Sequence, residues 1–508
     1  MPRCRLPRSR LWAVSMFSCL LAVAAGGSPA CESLLAASCP EASPGRGGRG
    51  GRGGAGRGGP RGACERCTGV IQHSLRVAGC TAVDVAAYCN QIATARWHHK
   101  WDTGAEMWFS DFGYSTLTPA QAQFVAEHNE IVSLEKCVGS NVPGLKTEDA
   151  IYQTAAQLKA LKPSIKVMFY WATDQQGLHC YAANQTFAAH PEWWLRDDAG
   201  KYVLDGTQHV IDWTVAGAVE WWLSVPFSGA NAEGLIDGVL ADSGGYKPYP
   251  GISPARCGEI YTAKKAALGR LQAAATELNG GVILANALSM YASQQNPAGG
   301  RTAHNLDVLD AVDAIQNEHF AVFESVNKHN DSLNVEMVKE NLALIEQAAA
   351  DPAKLVFVST WPGLFVTTGS GKPGPGTGPG WPTYPAPPSP HTMDAWRSAL
   401  LDKFEFAFAA TLLVAAPNVY QTYGVWYEMH QGFVDCPTQP STCCTPPQWY
   451  PQLSKPLGAP LGPREQVGPY HWTRDFEHAR VDVDLAAPDS ASITFRGHDS
   501  LDGSSGSV

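Results

Sequence analysis

The sequence predicts an α/β protein built on a (β/α)8 barrel, with a small N-terminal disulfide-rich module and a short C-terminal β extension. Short apolar runs of strand length alternate with helix-like segments, and the alternation repeats eight times over roughly 320 residues. Most of these runs end on a polar or aromatic side chain. The clearest run lies between Leu235 and Leu240, where the apolar residues are too few for a helix and are followed by Asp242 and a glycine turn.

Barrel enzymes carry their catalytic groups at the carboxyl ends of the strands, so the ends of the predicted strands are the candidate site. The competing interpretation of Asp242 is a residue that only caps the following turn. The other seven predicted strands, each with the residue at which it ends, are 105–111 (Asp111), 130–135 (Glu135), 165–171 (Trp171), 282–286 (Asn286), 311–318 (Glu318), 355–361 (Trp361) and 419–423 (Tyr423). Helix-like segments between them include 147–161, 261–278, 333–350 and 393–415.

The segment from His209 to Trp213 leaves the strand order open by one. It is also strand-like, and counting it would make Asp242 the end of the fifth strand. We place Asp212 in a long excursion after the third strand instead, because residues 215–223 then supply the helix that precedes the strand containing Ile236.

The first thirty residues predict a cleaved signal peptide. Four arginines between Arg3 and Arg10 precede an apolar run from Leu11 to Ala25, with small residues near its end. The sequence therefore predicts a secreted or extracellular glycoprotein, with Asn184 and Asn330 as candidate glycosylation sites. A signal anchor or an organellar transit peptide is the alternative, which would place the protein in an endomembrane lumen or an organelle. We expect no membrane span after signal removal.

Cysteine usage also suits an oxidising compartment, because twelve cysteines, an even number, follow the targeting segment. Six of them lie between Cys31 and Cys89, on both sides of a Gly/Arg tract, and predict a disulfide-stapled module over 31–98 with a disordered insertion. A zinc site at Cys64 and Cys67 lacks histidines at finger spacing. The predicted barrel domain spans 100–435, a loop-rich β extension 436–495 and a disordered tail 496–508. Within the extension, Cys443 and Cys444 need partners elsewhere, such as Cys436 or Cys257.

The composition narrows the function further. A chain of 508 residues with 44% hydrophobic and 17% charged residues is globular, and its net charge of −10 argues against nucleic acid as a partner. Sixteen Trp and sixteen Tyr supply either core or surfaces on which sugar rings can stack. Two inserts, 180–206 and 367–391, follow strand ends and are expected to overhang the barrel mouth.

Carboxylates that converge at a barrel mouth match the needs of glycosidic-bond hydrolysis. One carboxylic acid protonates the leaving oxygen, and a second carboxylate attacks the sugar or activates water. Sequence patterns for other hydrolytic chemistry, namely a phosphate-binding loop, a Gly-x-Ser-x-Gly elbow and a His-Glu-x-x-His helix, do not occur.

Four segments resemble the hypothetical glycosyl-hydrolase-like TIM-barrel families. They are Trp194-Leu-Arg-Asp-Asp-Ala-Gly-Lys, Ile211-Asp-Trp-Thr, Glu220-Trp-Trp and Ile236-Asp-Gly-Val-Leu-Ala-Asp. Leu457-Gly-Ala-Pro, Trp472-x-Arg-x-Phe and Val481-x-Val are similar to the end of such domains, so the resemblance covers roughly residues 100 to 485.

The resemblance implies a glycoside hydrolase acting on an oligo- or polysaccharide, with Asp242 as nucleophile and Glu318 as acid/base. Glu318 could instead be a structural carboxylate paired with an Arg or His, and Asp212 and Asp174 are alternates. Predicted substrate contacts are Asp111, Glu135, Trp171, Asp174, Asp212, Asn286, Trp361 and Tyr423, of which Asp111 and Glu135 orient sugar hydroxyls or hold the barrel floor. We expect no metal and no cofactor, and the oligomeric state is left open. The alternative function is a non-catalytic carbohydrate-binding protein on a TIM-barrel scaffold.

Overall fold

The computed structural model describes residues 34, 72–77, 80, 85, 97–113, 116–140, 142–174, 178–228, 234–279, 281–288, 303–321, 333–360, 390–425, 429–430 and 449–496. Contacts divide the chain into two compact units, Met1–Arg96 and Trp97–Val508. In the first unit, the short helix Gln72–Val77 buries Leu75 against three neighbours, Leu34, Cys80 and Val85. Cys80 is disulfide-bonded. The other cysteines of the predicted N-terminal module lie outside the described residues.

The second unit contains a nearly closed barrel of eight parallel strands, which confirms the predicted fold class. The strands are β1 (Phe109–Phe112), β2 (Ile131–Leu134), β3 (Lys166–Tyr170), β4 (Gly238–Ala241), β5 (Val282–Asn286), β6 (Ala314–Asn317), β7 (Leu355–Thr360) and β8 (Val419–Val425). Each strand pairs in parallel with the next one along the chain. A parallel bridge between Trp108 and Gln421 joins β8 to the residue before β1 and so draws the sheet round on itself.

Helices cover the outside of the barrel between most of the strands. They are α1 (Pro119–His128), α2 (Thr147–Leu161), α3 (Ala216–Ser224), α4 (Pro254–Asn279), α5 (Val335–Ala349) and α6 (Pro390–Leu412). The start of α1 is fixed by a capping box between Thr118 and Gln121, with Pro119 at the first helical position. Between β5 and β6 the described residues contain a single-turn 3₁₀ helix, Leu306–Asp310.

The segment from His209 to Trp213 is not a barrel strand and belongs to the long excursion after the third strand. Gln208–His209 forms a two-residue antiparallel hairpin with Leu204–Asp205, and Ile211 bridges Trp194, so neither joins the barrel sheet. Asp242 therefore follows the fourth barrel strand.

A separate antiparallel sheet of four strands forms the predicted C-terminal β extension. Its strands are β9 (Glu465–Gly468), β10 (His471–Asp475), β11 (Ala479–Asp484) and β12 (Ser492–Phe495). Arg474 on β10 donates from Nη1 to the backbone carbonyls of Leu412, Leu413 and Ala415 at 2.8–3.1 Å. Leu412 is the last residue of α6 and the other two residues follow it, so these carbonyls have no partner inside the helix, and the arginine attaches the sheet to the barrel.

One disulfide of the barrel unit is described. Cys137 and Cys180 join the loop after β2 to the loop after β3. Cys257, at the start of α4, is a buried free thiol, so the suggested pairing of Cys257 with Cys443 or Cys444 is wrong. Among the described residues, none of the helices is both long enough and apolar enough to cross a membrane.

Replacing Gly238 with alanine is expected to destabilise the barrel. A Cβ at this position on β4 would lie 2.3 Å from the backbone oxygen of Val282 on the paired strand. A backbone atom in a parallel ladder cannot rotate away, so we expect a loss of about 1–3 kcal/mol in the free energy of unfolding.

Gly258 on α4 is the matched control, because a Cβ there meets no atom within 4 Å. Gly258→Ala should stabilise the protein by about 0.5–1 kcal/mol, since alanine loses less backbone entropy in a helix than glycine does. Urea unfolding of both variants measures the difference, and equal stabilities would contradict this account.

Candidate active site

The candidate site lies where β4, β5 and β6 end. Asp242 directly follows β4, Asn286 is the last residue of β5, and Glu318 directly follows β6. The side-chain amide of Asn286 donates one hydrogen bond to Asp242 Oδ1, at 2.8 Å, and one to Glu318 Oε2, at 2.6 Å. Because one nitrogen reaches both oxygens, these oxygens are separated by no more than the sum of the two bond lengths. The two carboxyl groups predicted as the catalytic pair therefore share one site.

Asp242 is held by two further donors. The backbone N–H of Ser243 donates to Oδ1 at 2.7 Å, and the hydroxyl of Tyr170 donates to Oδ2 at 2.6 Å. Ser243 has a φ of 56°, in the left-handed region that costs a non-glycine residue conformational energy. The turn after β4 thus aims its backbone N–H at the carboxylate that precedes it.

Two buried residues, Thr173 and Lys264, donate hydrogen bonds to the backbone carbonyls of this turn. Thr173 donates from its backbone N–H to the carbonyl of Asp242, at 2.8 Å, and from its hydroxyl to the carbonyl of Ser243, at 2.6 Å. Lys264 on α4 donates to the same Ser243 carbonyl at 2.8 Å. Burial lowers the pKa of Lys264 to about 7. The strained conformation of Ser243 is therefore maintained by contacts from two neighbouring elements.

A second buried pair lies beside Asp242. Lys136 Nζ is 2.9 Å from Glu135 Oε2, 3.5 Å from the hydroxyl of Tyr170 and 4.7 Å from the centroid of its ring. Burial, and next the charge of Asp242, raise the pKa of Glu135 to about 7, against the opposing effect of Lys136. Both residues follow β2, so β2, β3 and β4 together build one side of the site.

Carboxyl groups at this mouth outnumber the cations close to them. Burial, and next the charge of Glu135, raise the pKa of Asp111 well above its usual value. Burial and the charge of Asp242 also raise the pKa of Glu318, which His319 lowers in turn from a distance of 3.9 Å. Protons are therefore retained here at pH values at which exposed carboxyl groups are ionised.

Two predicted substrate contacts have other surroundings. Asp174 is buried and pairs at 3.3 Å with Lys247, which also pairs with Asp205 at 2.7 Å, so these residues link the loops after β3 and β4. Asp212 accepts hydrogen bonds from the backbone N–H and the hydroxyl of Thr214 and shapes the turn before α3.

Both aromatic candidates that the structure describes lie in the core. Trp171 is buried and donates from Nε1 to the carbonyl of Trp222. Tyr423 is fully buried and packs edge-on against Phe404 and Tyr450. Both rings are therefore packed among neighbouring side chains, and their predicted contact with substrate stays a prediction. Trp361 and residues 367–389 of the second insert lie outside the described residues.

The structure adds Tyr170 and Lys136, which the sequence analysis did not select. Tyr170 directly precedes Trp171, and Lys136 directly follows Glu135. Successive side chains on a strand point to opposite faces, so Tyr170 and Trp171 could not both point into the barrel. This alternation is the signal in the sequence that could have identified Tyr170. Only one of the two side chains can lie on the same face of the sheet as Asp242.

One group of potential metal ligands occurs in the described part of the chain. Atoms of Cys137, His179 and Cys180 lie within 4.8 Å of one another. Both cysteine sulfurs are bonded to each other, so they cannot act as thiolate ligands.

Stability is expected to fall as the pH rises through the titration range of Glu135. Its pKa is raised from 4.5 to about 7 on folding, so the folded state keeps a proton that the unfolded state has released. This group contributes stability that is fully present below about pH 4.5 and lost by about pH 7, at most about 3 kcal/mol.

Glu135→Gln cannot titrate and should show a shallower loss of unfolding free energy between about pH 4.5 and about pH 7, measured by urea unfolding. The slope is the readout, because the amide also leaves Lys136 without its carboxylate. Glu465→Gln, an exposed position on β9, should keep the wild-type slope. A wild-type slope in Glu135→Gln would refute the assignment.

Several solved structures are similar to this chain at low sequence identity, including the following three. A GH31 family sulfoquinovosidase from E. rectale is 13% identical and covers 54% of this chain and 41% of its own, with a TM-score of 0.33. An alpha-galactosidase from Thermus thermophilus is 12% identical over 75% of this chain and 67% of its own, with a TM-score of 0.35. An alpha-amylase from Geobacillus thermoleovorans is 10% identical over 76% and 87%, with a TM-score of 0.36. The chain spans about two fifths of the length of the first of these.

No curated protein matches the chain significantly. The predicted resemblance is nevertheless confirmed at the level of a family model, and the matched segment contains Asp242, Asn286 and Glu318. Residues 159–363, from the end of α2 to just beyond β7, match hypothetical glycosyl hydrolase family 15.

Proposed function

We propose that this protein is a glycoside hydrolase that cleaves O-glycosidic bonds of an oligo- or polysaccharide with Asp242 and Glu318. The observation that carries the proposal is the amide of Asn286, which holds the two carboxyl groups together at the ends of β4 and β6. The family model that matches residues 159–363 supports the same reaction class. Secretion remains part of the proposal, and the disulfide between Cys137 and Cys180 supports an oxidising compartment.

The separation of the carboxyl groups favours a retaining mechanism. Retaining glycosidases keep their two carboxyl groups about 5–5.5 Å apart, whereas inverting ones leave about 6.5–9.5 Å for a water molecule. The two oxygens bridged by Asn286 cannot be farther apart than its two hydrogen bonds allow, at 2.8 and 2.6 Å. The bridged oxygens are therefore closer together than the separation that an inverting enzyme needs.

The environments of the two groups assign their roles. Burial and the charge of Asp242 raise the pKa of Glu318, which favours its protonated form and the role of the acid. Its Oε1 has no hydrogen-bond partner in the described part of the chain, so we assign the proton for the glycosidic oxygen to this atom. Asp242 accepts three hydrogen bonds, which hold its carboxyl group in place as the nucleophile.

The reaction then proceeds in two displacements. An oxygen of Asp242 bonds to the anomeric carbon while the glycosidic C–O bond breaks, and the leaving oxygen takes the proton of Glu318. Water next attacks the anomeric carbon and gives its proton back to Glu318, while the bond between sugar and Asp242 breaks. The product keeps the anomeric configuration of the substrate.

The same geometry argues against the alternative of a non-catalytic carbohydrate-binding protein. A binding protein has no need for two buried like charges held close together, since each raises the cost of ionising the other. Carboxyl groups pointing away from a common cleft would have favoured binding alone, whereas Asp242 and Glu318 converge.

Cleavage of a panel of 4-nitrophenyl α- and β-glycosides and of soluble polysaccharides tests the proposal. We expect no turnover from Asp242→Asn and a loss of about 10²–10⁴-fold in kcat from Glu318→Gln. NMR of the first product should show the anomer of the substrate. Asp237→Asn is the control, because Asp237 precedes β4 at the opposite end of the barrel and pairs with Lys159. Its activity should stay at the wild-type level.

Two results would overturn the proposal. Binding of a glycan without cleavage, unchanged in Asp242→Asn and Glu318→Gln, would identify a binding protein. A product of opposite configuration would exclude the retaining mechanism.

A further inference from the structure

The two oxygens of Asp242 have different surroundings. Oδ1 accepts from the backbone N–H of Ser243 and from the amide of Asn286, and Oδ2 accepts from the hydroxyl of Tyr170. A carboxylate oxygen offers two lone-pair positions. The described donors therefore occupy both positions on Oδ1 and one on Oδ2, which makes Oδ2 the better placed oxygen to attack the anomeric carbon.

We propose that Tyr170 is a further catalytic residue that acts on the attacking oxygen of Asp242, and that Lys136 is the positioning residue that holds Tyr170 in place. This inference rests on the proposed function, because it assigns a role within the second displacement of a retaining glycosidase. Neither residue has a role in the two-carboxylate scheme itself.

The second displacement is the step at which Tyr170 acts. While Oδ2 is bonded to the sugar, it is an ester oxygen and a poor hydrogen-bond acceptor. As water attacks the anomeric carbon, the C–Oδ2 bond breaks, its electron pair moves to Oδ2, and the water proton goes to Glu318. The Tyr170 hydroxyl, 2.6 Å away in the resting site, donates to the charge that develops on Oδ2 and so assists its departure. No proton leaves Tyr170.

The surroundings of Tyr170 suit a donor that keeps its proton. The side chain is fully buried, and burial followed by the charge of Asp242 raises the pKa of Tyr170 well above its usual value. Its backbone carbonyl accepts a hydrogen bond from the hydroxyl of Tyr181 at 2.9 Å, which restrains the end of β3.

Lys136 reaches both the oxygen and the ring of Tyr170. Its Nζ lies 3.5 Å from the hydroxyl and 4.7 Å from the ring centroid, and its pairing with Glu135 at 2.9 Å keeps it there. The next residue, Cys137, is tied by its disulfide to Cys180 in the loop after β3. The position of the ammonium group is therefore fixed by both strands that flank it.

The experiment compares the two displacements in Tyr170→Phe. The probe is the 2,4-dinitrophenyl glycoside of the sugar that the wild type cleaves, since its good leaving group makes the first displacement fast. We expect a burst of one dinitrophenolate per enzyme, followed by a steady-state rate about 100-fold below that of the wild type. Intact-mass spectrometry should show one glycosyl adduct, and peptide mapping should place it on Asp242.

Tyr152→Phe is the matched control, because it removes a buried tyrosine hydroxyl, bonded to the carbonyl of Pro226, without touching Asp242 or Tyr170. It should lower the melting temperature but show no adduct. A merely structural role for Tyr170 would make the two variants behave alike.

Lys136 is tested separately from the charge of Glu135. Lys136→Met alone leaves a buried carboxyl without its cation and could fail to fold, so the double variant Glu135→Gln, Lys136→Met is measured beside it. We expect the folded double variant to accumulate the adduct as Tyr170→Phe does, and Lys136→Arg to recover part of the steady-state rate. A double variant without adduct would overturn the role of Lys136.

The outcomes separate this inference from the proposed function. If the wild type cleaves no glycoside, the proposed function and this inference both fail. If the wild type cleaves while Asp242→Asn and Glu318→Gln do not, a Tyr170→Phe variant with wild-type kcat overturns the inference alone. A Tyr170→Phe variant that loses the burst as well as the steady-state rate also overturns it, because the first displacement would then be the affected step.

Discussion

The paired hydrogen bonds from Asn286 to Asp242 and Glu318 are the interaction on which the rest of the site depends. Two carboxyl groups this close repel one another when both are ionised, and a shared donor between them offsets part of that repulsion. Asn286 can bridge them because β5 lies between β4 and β6 in the sheet. The strand order of the barrel, rather than any local motif, therefore brings the candidate catalytic groups together.

Burial makes the carboxyl groups around this site hold their protons more tightly than exposed carboxyl groups do. Asp111, Glu135 and Glu318 all have raised pKa values, and in each case desolvation is the largest cause. Lys136 supplies one positive charge among them, which is too little to keep every carboxyl group ionised. A site that must deliver a proton to a leaving oxygen near neutral pH benefits from this imbalance, although it costs the folded protein stability as the pH rises.

The remaining constraint is backbone strain at Ser243, which places its N–H against the carboxylate of Asp242. Thr173, from the loop after β3, and Lys264, from α4, hold the carbonyls of this turn. The turn is thus held by elements that precede and follow β4 in the chain. Such a position is stable only inside a completed barrel, which is why strain can persist there.

The sequence by itself predicted the eight strands and the carboxyl groups at their ends, because apolar runs and the turns that end them are local signals. It left the strand order open by one at residues 209–213. It could not decide which side chains face the mouth. Tyr423 and Trp171 end or follow strands as Asp242 does, yet both are packed in the core, while Tyr170 contacts Asp242. Only the tertiary structure decided this, since the face a strand residue occupies and the group it meets depend on the register of neighbouring strands and the helices packed on them.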